Sequence, residues 1–271
     1  MKNLLFIAFA ILAFFSCEKT IELDLGQTED AVVIEGLVTD KPGKQFIRIS
    51  KVVPFNGSGQ APAVSGATVA VDDDEGNSYT FVEQQAGYYT PQTDFTGLPG
   101  RTYTMHVQAE GITYTASGMM HTLPPFDSLS IRVDEEERAD PDEEGRFYEV
   151  LVYIDEPQET EDYYLLKFYR NDSLLTDNGS WVYVSSDEFL GGDIDALPIP
   201  YYYAQSDVAR VEIYAISREG YKYYTDLLNN VSNDGGMFSG YPANVRTNIE
   251  GGAIGYFQVS GLSAAELEIK Q

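Results

Sequence analysis

The chain has 271 residues and a formal net charge of −26, with 17 Lys and Arg against 43 Asp and Glu. Such a surface repels phosphate backbones and anionic lipid, because nucleic-acid affinity rests on Lys and Arg contacts, so nucleic acid is excluded as a partner; solubility, divalent cations or a basic partner are favoured. Extreme charge can mark disorder, but 43% hydrophobic residues and 20 tyrosines supply the core of one large domain or two ordinary ones.

Residues 1–16 read as a lipoprotein signal peptide. Met1, Lys2 and Asn3 precede an apolar run of 12 residues, Leu4 to Phe15, too short for the roughly 20 residues of a spanning helix. A charged start, a short apolar centre and a small residue, here Ser16, describe a secretory signal. Cys17 comes next and is the only cysteine. It has no disulfide partner and belongs to no thiolate-metal framework, which leaves it for acylation. The pattern resembles a bacterial lipoprotein signal, with Phe14 where Leu is usual. An ordinary signal peptide and a buried N-terminal strand are the alternatives. Residues 17–30 read as a lipidated tether, mostly polar or acidic, in which Ile21, Leu23 and Leu25 alternate as in a short edge strand.

Period-2 alternation dominates the chain beyond the tether. Strands are predicted over 31–40 and 44–53. A hairpin comes next, with strands Thr68 to Asp72 and Ser78 to Glu83 around the turn "DDEGN", whose residue types suit turns. Residues 87–118 add two or three strands. Short strands with turns every 8 to 12 residues describe a β-sandwich. "TLPPFDSL" (122–129) is the domain boundary, stiffened by two prolines. Beyond it, "SLSIRV" and "RFYEVLVYI" flank an acidic stretch, 134–145. Strands are predicted within 162–172, 179–189 and 209–217. In 217–230, Ser217 caps a helix that places Tyr221, Tyr224 and Leu228 on one face. "GGAIGYFQVSG" and "AAELEI" are two closing strands.

The acidic stretch holds eight carboxylates, among them Asp140, Asp142, Glu143 and Glu144. Calcium takes 6 to 8 oxygen ligands, which makes these four weak metal candidates; the spaced pattern of a folded calcium loop is missing, and like-charge runs are usually solvated loops. "DDDEGN" (72–77) fails as a calcium loop, since Val71 stands where Asp is required, and a hairpin turn explains it. His106 and His121, the only histidines, have no second His or Cys at ligand spacing and no Gly-framed nucleophile beside them. Tyr201, Tyr202 and Tyr203 follow a Pro-rich loop, and in a strand at least one of them faces outward or lies at a sheet edge. They are candidate binding residues, with Trp181 as a second anchor. The liking of β-sheets for tyrosine accounts for them as well. "DSL" at 127–129 and 172–174 resembles a short O-glycosylation signal, a match that arises often by chance.

Several blocks line up with one family: "SCEKTIELDL", "VVIEGLVTD", "PAVSGATVAVDDDEGNSYTF", "FTGLPGRTYTMHV", "HTLPPFDSLSI", "VEIYAISREGYKYY" and "PANVRTNIEGGAIGYF". Together they resemble the Bacteroidetes lipoproteins grouped as a domain of unknown function, DUF4249, over nearly the whole chain from Cys17. The first domain also looks like immunoglobulin-like or prealbumin-like modules. The family has no established catalytic residues, so none carries over. Its members are commonly associated with TonB-dependent outer-membrane transporters. The resemblance implies a lipid-anchored accessory of such a transporter, with Cys17 as the lipidated residue. It leaves open whether the anchor faces the cell surface or the periplasm.

The expectation is a mostly β protein of two β-sandwich domains, 31–122 and 123–271, the second with one short helix. Its role is non-catalytic binding at the outer membrane, without a cofactor, from loops such as 134–145 and 198–207. The alternatives are a surface hydrolase, glycosidase or peptidase, which would need a cleft with a carboxylate of raised pKa, and a structural or adhesive lipoprotein.

Overall fold

The computed structural model describes residues 31–53, 60–123, 126–154, 161–176, 180–186, 194–232 and 244–270. The segments expected to be the signal peptide and the tether, with Cys17, lie outside them. The first seven strands are β1 (Val32–Thr39), β2 (Phe46–Lys51), β3 (Thr68–Asp73), β4 (Ser78–Gln85), β5 (Tyr88–Pro91), β6 (Thr102–Ala109) and β7 (Ile112–Met119). Strand β8 (Ser128–Val133), the short helix α1 (Glu135–Ala139), β9 (Arg146–Ile154), β10 (Tyr163–Arg170), β11 (Ser173–Leu174), β12 (Tyr183–Ser186), β13 (Ile194–Ala204) and β14 (Val208–Ile216) come next. Helix α2 (Arg218–Val231), β15 (Ile254–Ser260) and β16 (Leu262–Glu268) end the described chain.

The protein is mostly β and forms sandwiches. One eight-stranded sheet runs β15-β1-β2-β5-β4-β3-β6-β7 and curls until its ends meet. At the seam Thr115 of β7 pairs with Glu250, and Gly118 lies against Val259. Alternation builds the interior: Tyr103, Met105 and Val107 of β6 point inward, as do Ile34 and Val38 of β1. The predicted hairpin is β3–β4. Its turn is held by Asp73, whose carboxylate accepts from the backbone N–H groups of Glu75 (3.0 Å) and Asn77 (2.9 Å). These bonds, led by the one from the Asn77 side chain, hold the Asp73 carboxyl below its ordinary pKa.

A second sandwich packs the sheet β11-β10-β14-β16, with β12 also on β10, against the three-stranded sheet β13-β9-β8. Tyr148, Val150 and Val152 of β9 meet Phe168 of β10 and Val211 and Ile213 of β14 between them. The opposite face of β10 and β14 presents Leu165, Tyr214 and Ile216, which α2 covers with Tyr224.

Two features revise the sequence reading. Strand β15, placed by sequence in the second domain, pairs in parallel with β1 from Val33↔Ile254 to Thr39↔Ser260 and so completes the first sheet. The chain therefore crosses from the second sandwich back to the first before ending in β16. The reason is physical: β15 is buried along both faces, Phe257 and Val259 on one and Tyr256 on the other, and a place between two cores covers both. The second revision is α1 inside the acidic stretch. Asp134 starts it by accepting from the N–H groups of Glu136 (2.9 Å) and Glu137 (3.1 Å), so the described residues of the second half carry two helices rather than one.

Candidate ligand-binding pocket

The residues singled out by sequence fall in separate places. Segment 198–207, read as a loop, is mostly strand β13, an edge strand whose prolines sit where its pairing with β9 slips register. Tyr203 is fully buried, and its hydroxyl donates to the Tyr169 carbonyl (3.2 Å), so it presents no surface. Tyr201 shares a hydrogen bond with Tyr183 (2.7 Å). Tyr202 donates to Asp134 (2.9 Å), which ties β13 to the cap of α1 and pushes the phenol up to about 12. Of the weak metal candidates, Glu143 pairs with Arg146 and lies 3.6 Å from Arg170. Among the described residues no three His, Cys, Asp or Glu side chains gather as a metal site. His106 lies 3.3 Å from Asp72 on an exposed strand face. The His121 carbonyl accepts from the Gly261 N–H (3.2 Å).

Trp181 stands apart from the tyrosine triad, on the other face of the β10 sheet. It lines a cavity of about 360 Å³ between the two sandwiches. This size lies within the range of small-molecule sites, which favour apolar walls and a few polar groups at domain junctions. One wall is the outer face of the first sheet: Val33, Glu35 and Leu37 of β1, then Tyr256 and Gln258 of β15. The opposite wall is Lys167 of β10, Trp181, and Tyr223, Tyr224 and Leu227 of α2.

Each wall follows from local sequence. Ser217 caps α2 by accepting from the Gly220 N–H (3.1 Å), as expected, and bonds the Tyr256 hydroxyl (3.1 Å). Helical spacing then turns Tyr224 inward, donating to Gln258 (2.5 Å), which itself donates to Ser260 (2.9 Å). Tyr223 stacks on Tyr256 at 4.8 Å. Strand alternation puts Lys167 on the same face of β10 as Leu165.

Lys167 is the cation of the pocket. Its ammonium lies 4.8 Å from the Trp181 ring and 4.9 Å from the Tyr214 ring, positions that attract a cation through the ring quadrupole. Among the described residues it has no hydrogen bond and no carboxylate within 4 Å. Burial lowers its pKa against the pull of Glu212 and Glu35. Both carboxylates are otherwise engaged. Glu35 pairs with Arg48 at 2.8 Å. Glu212, only 2% exposed, accepts from Lys44 (3.2 Å), Tyr169 (3.0 Å) and Tyr214 (2.8 Å).

Sequence reasoning found Trp181 and missed Lys167, Tyr223, Tyr256 and Gln258. The available signal was a lysine on the Leu165 side of an aromatic strand, "YYLLKFYR". Without knowing that α2 and β15 converge there, it reads as an ordinary edge cation.

Among solved structures, the chain is similar to a two-domain fibronectin type-III segment of chicken tenascin, with 13% identity, 69% of this chain and 91% of that chain covered, and a TM-score of 0.20. It is also similar to a DUF4785 family protein from Legionella pneumophila, with 9% identity, 68% of this chain and 52% of that chain covered, and a TM-score of 0.24. No curated protein matches the chain. A family model described as a domain of unknown function, DUF4249, matches residues 18–264, so the protein belongs to that family.

Proposed function

We propose that this protein is a non-catalytic binding component at the outer membrane, held there by lipid on Cys17 and working beside a TonB-dependent transporter. The observation that supports binding is the pocket between the sandwiches, walled by aromatic rings and furnished with one cation. Its polar groups suit holding a molecule: Tyr224, Gln258 and Tyr256 are already bonded to one another or to serines and serve as walls. Support for the anchor comes from the 12-residue apolar run before the single cysteine and from the likeness to Bacteroidetes lipoproteins. Acyl chains confine a protein to a plane and raise its effective concentration near a membrane partner.

The test is a pull-down of the tagged, lipidated protein from gently solubilised native outer membranes. A TonB-dependent barrel recovered in stoichiometric amount is the expected result. Recovery of the protein alone, from membranes where it is abundant, would overturn the accessory role.

A further inference from the structure

We infer that the pocket binds an organic monocarboxylate with an apolar body, its carboxylate on the Lys167 ammonium and its body against Trp181, Tyr223 and Tyr256. This deepens the proposed binding role and rests on it.

Three observations point to this chemistry. First, the pocket is rich in donors and poor in free acceptors. The Gln258 carbonyl oxygen is taken by Tyr224, and one oxygen of the Glu35 carboxylate by Arg48. The Lys167 ammonium, the Trp181 indole N–H and the Tyr223 hydroxyl have no hydrogen-bond partner among the described residues. All three residues line one volume, and a carboxylate offers acceptor lone pairs to several donors at once. Second, Lys167 is a partly desolvated charge with two ring faces beside it and no carboxylate within 4 Å, its cross-strand neighbour Glu212 being held by Lys44, Tyr169 and Tyr214. Such a charge is costly until an anion meets it. The local balance permits one negative charge. Of the two charged residues lining the pocket, Glu35 is paired with Arg48 beside it in the first sheet, which leaves Lys167 as the charge without a direct ionic partner in a chain that is otherwise strongly acidic. A dianion would meet Glu35. Third, the remaining lining is apolar: Val33, Leu37, Phe46 and Leu227 among others. A sugar would leave most of its hydroxyls unpaired against that wall, whereas a hydrocarbon body matches it. At roughly 30 Å³ per atom, the volume of water in the liquid, the cavity of about 360 Å³ holds roughly a dozen heavy atoms.

Decanoate and 4-phenylbutyrate fit that size, one aliphatic and one aromatic, and 1-decanol and 4-phenylbutanol are their neutral counterparts. Trp181 is the only tryptophan and lies on the pocket wall, so its fluorescence reports on this site alone. The experiment titrates the purified full-length protein with all four compounds. The expected result is saturable binding of at least one acid, about tenfold or more tighter than its alcohol; which acid wins identifies the body. Lys167→Met should abolish that preference and leave alcohol affinity unchanged. Acid and alcohol of equal affinity, no saturable response to either acid, or a preference that survives Lys167→Met would each overturn the inference. Should the variant not fold, the acid–alcohol comparison on the natural chain still decides. A barrel that co-purifies while no acid binds would remove this ligand class alone; acid binding without a partner would remove the transporter role alone.

Discussion

Replacing Gly255 by Ala tests the crossing of β15 into the first sheet. Gly255 has φ +111 and pairs with Ile34, and a Cβ there would lie 2.1 Å from the Ile34 carbonyl oxygen. Gly252, three residues earlier, has φ +88 with nothing within 4 Å of its would-be Cβ. Both substitutions incur the positive-φ cost of an L-residue, about 1 to 2 kcal/mol. Only Gly255→Ala must also drive β15 away from β1, by about 1 Å before ordinary contact is restored. That breaks or stretches about two ladder hydrogen bonds of about 1 kcal/mol each and loosens Phe257 in the core. The expected losses are about 4 kcal/mol for Gly255→Ala and about 1.5 kcal/mol for Gly252→Ala. Urea unfolding followed by far-UV circular dichroism measures both. Losses that agree within about 0.5 kcal/mol would refute the close approach of β15 to β1.

Two further predictions concern charge and anchoring. Glu212→Gln should destabilise by about 3 kcal/mol, because it leaves the Tyr169 and Tyr214 hydroxyls and Lys44 facing a weaker acceptor in a buried place. Burial opposes ionisation of Glu212, but the bonds from Tyr214, Lys44 and Tyr169 outweigh it and hold its pKa below the ordinary 4.5. Its contribution is therefore complete above pH 4.5 and lost as pH falls through the lowered folded value, so the natural chain and the Glu212→Gln variant should converge in stability only in acid. A gap that stays constant through that range would show that the carboxylate's charge is immaterial. Cys17→Ser should move the protein from the membrane pellet to the soluble fraction; retention in the pellet would mean that another feature anchors it.

What the sequence reveals is local. It predicts the β3–β4 hairpin at Thr68–Asp72 and Ser78–Glu83, and the strands run Thr68–Asp73 and Ser78–Gln85, because turn residues and period-2 alternation both act within a few positions. The α2 helix is legible for the same reason, through its Ser217 cap. The partner of β15 is not. Burial on both faces says that a strand is covered, and says nothing about which sheet covers it. Tyr203 reads as a candidate surface residue because three consecutive tyrosines show no direction until a register is set, and the register of β13 shifts at its prolines. Lys167 is invisible in the sequence because the rings beside it come from Trp181 and Tyr214, brought close only by the fold.

The parallel pairing of β1 and β15 also fixes an order of events in folding. Gly36 meets Ile47 across β2 and Phe257 across β15, so the second contact closes a loop roughly twentyfold longer and costs about 2.6 kcal/mol more in chain entropy. Strand β1 can find β2 as soon as both have emerged from the ribosome or the translocation pore. Its other edge stays open until residues 254–260 arrive. For nearly the whole of synthesis the first sheet therefore exposes a strand edge and the apolar surface that Phe257 will seal, the kind of template that recruits chaperones or neighbouring chains. A chain cut short before residue 254 would never close that edge, so a truncated product is marked for removal by the same strand that completes the finished one.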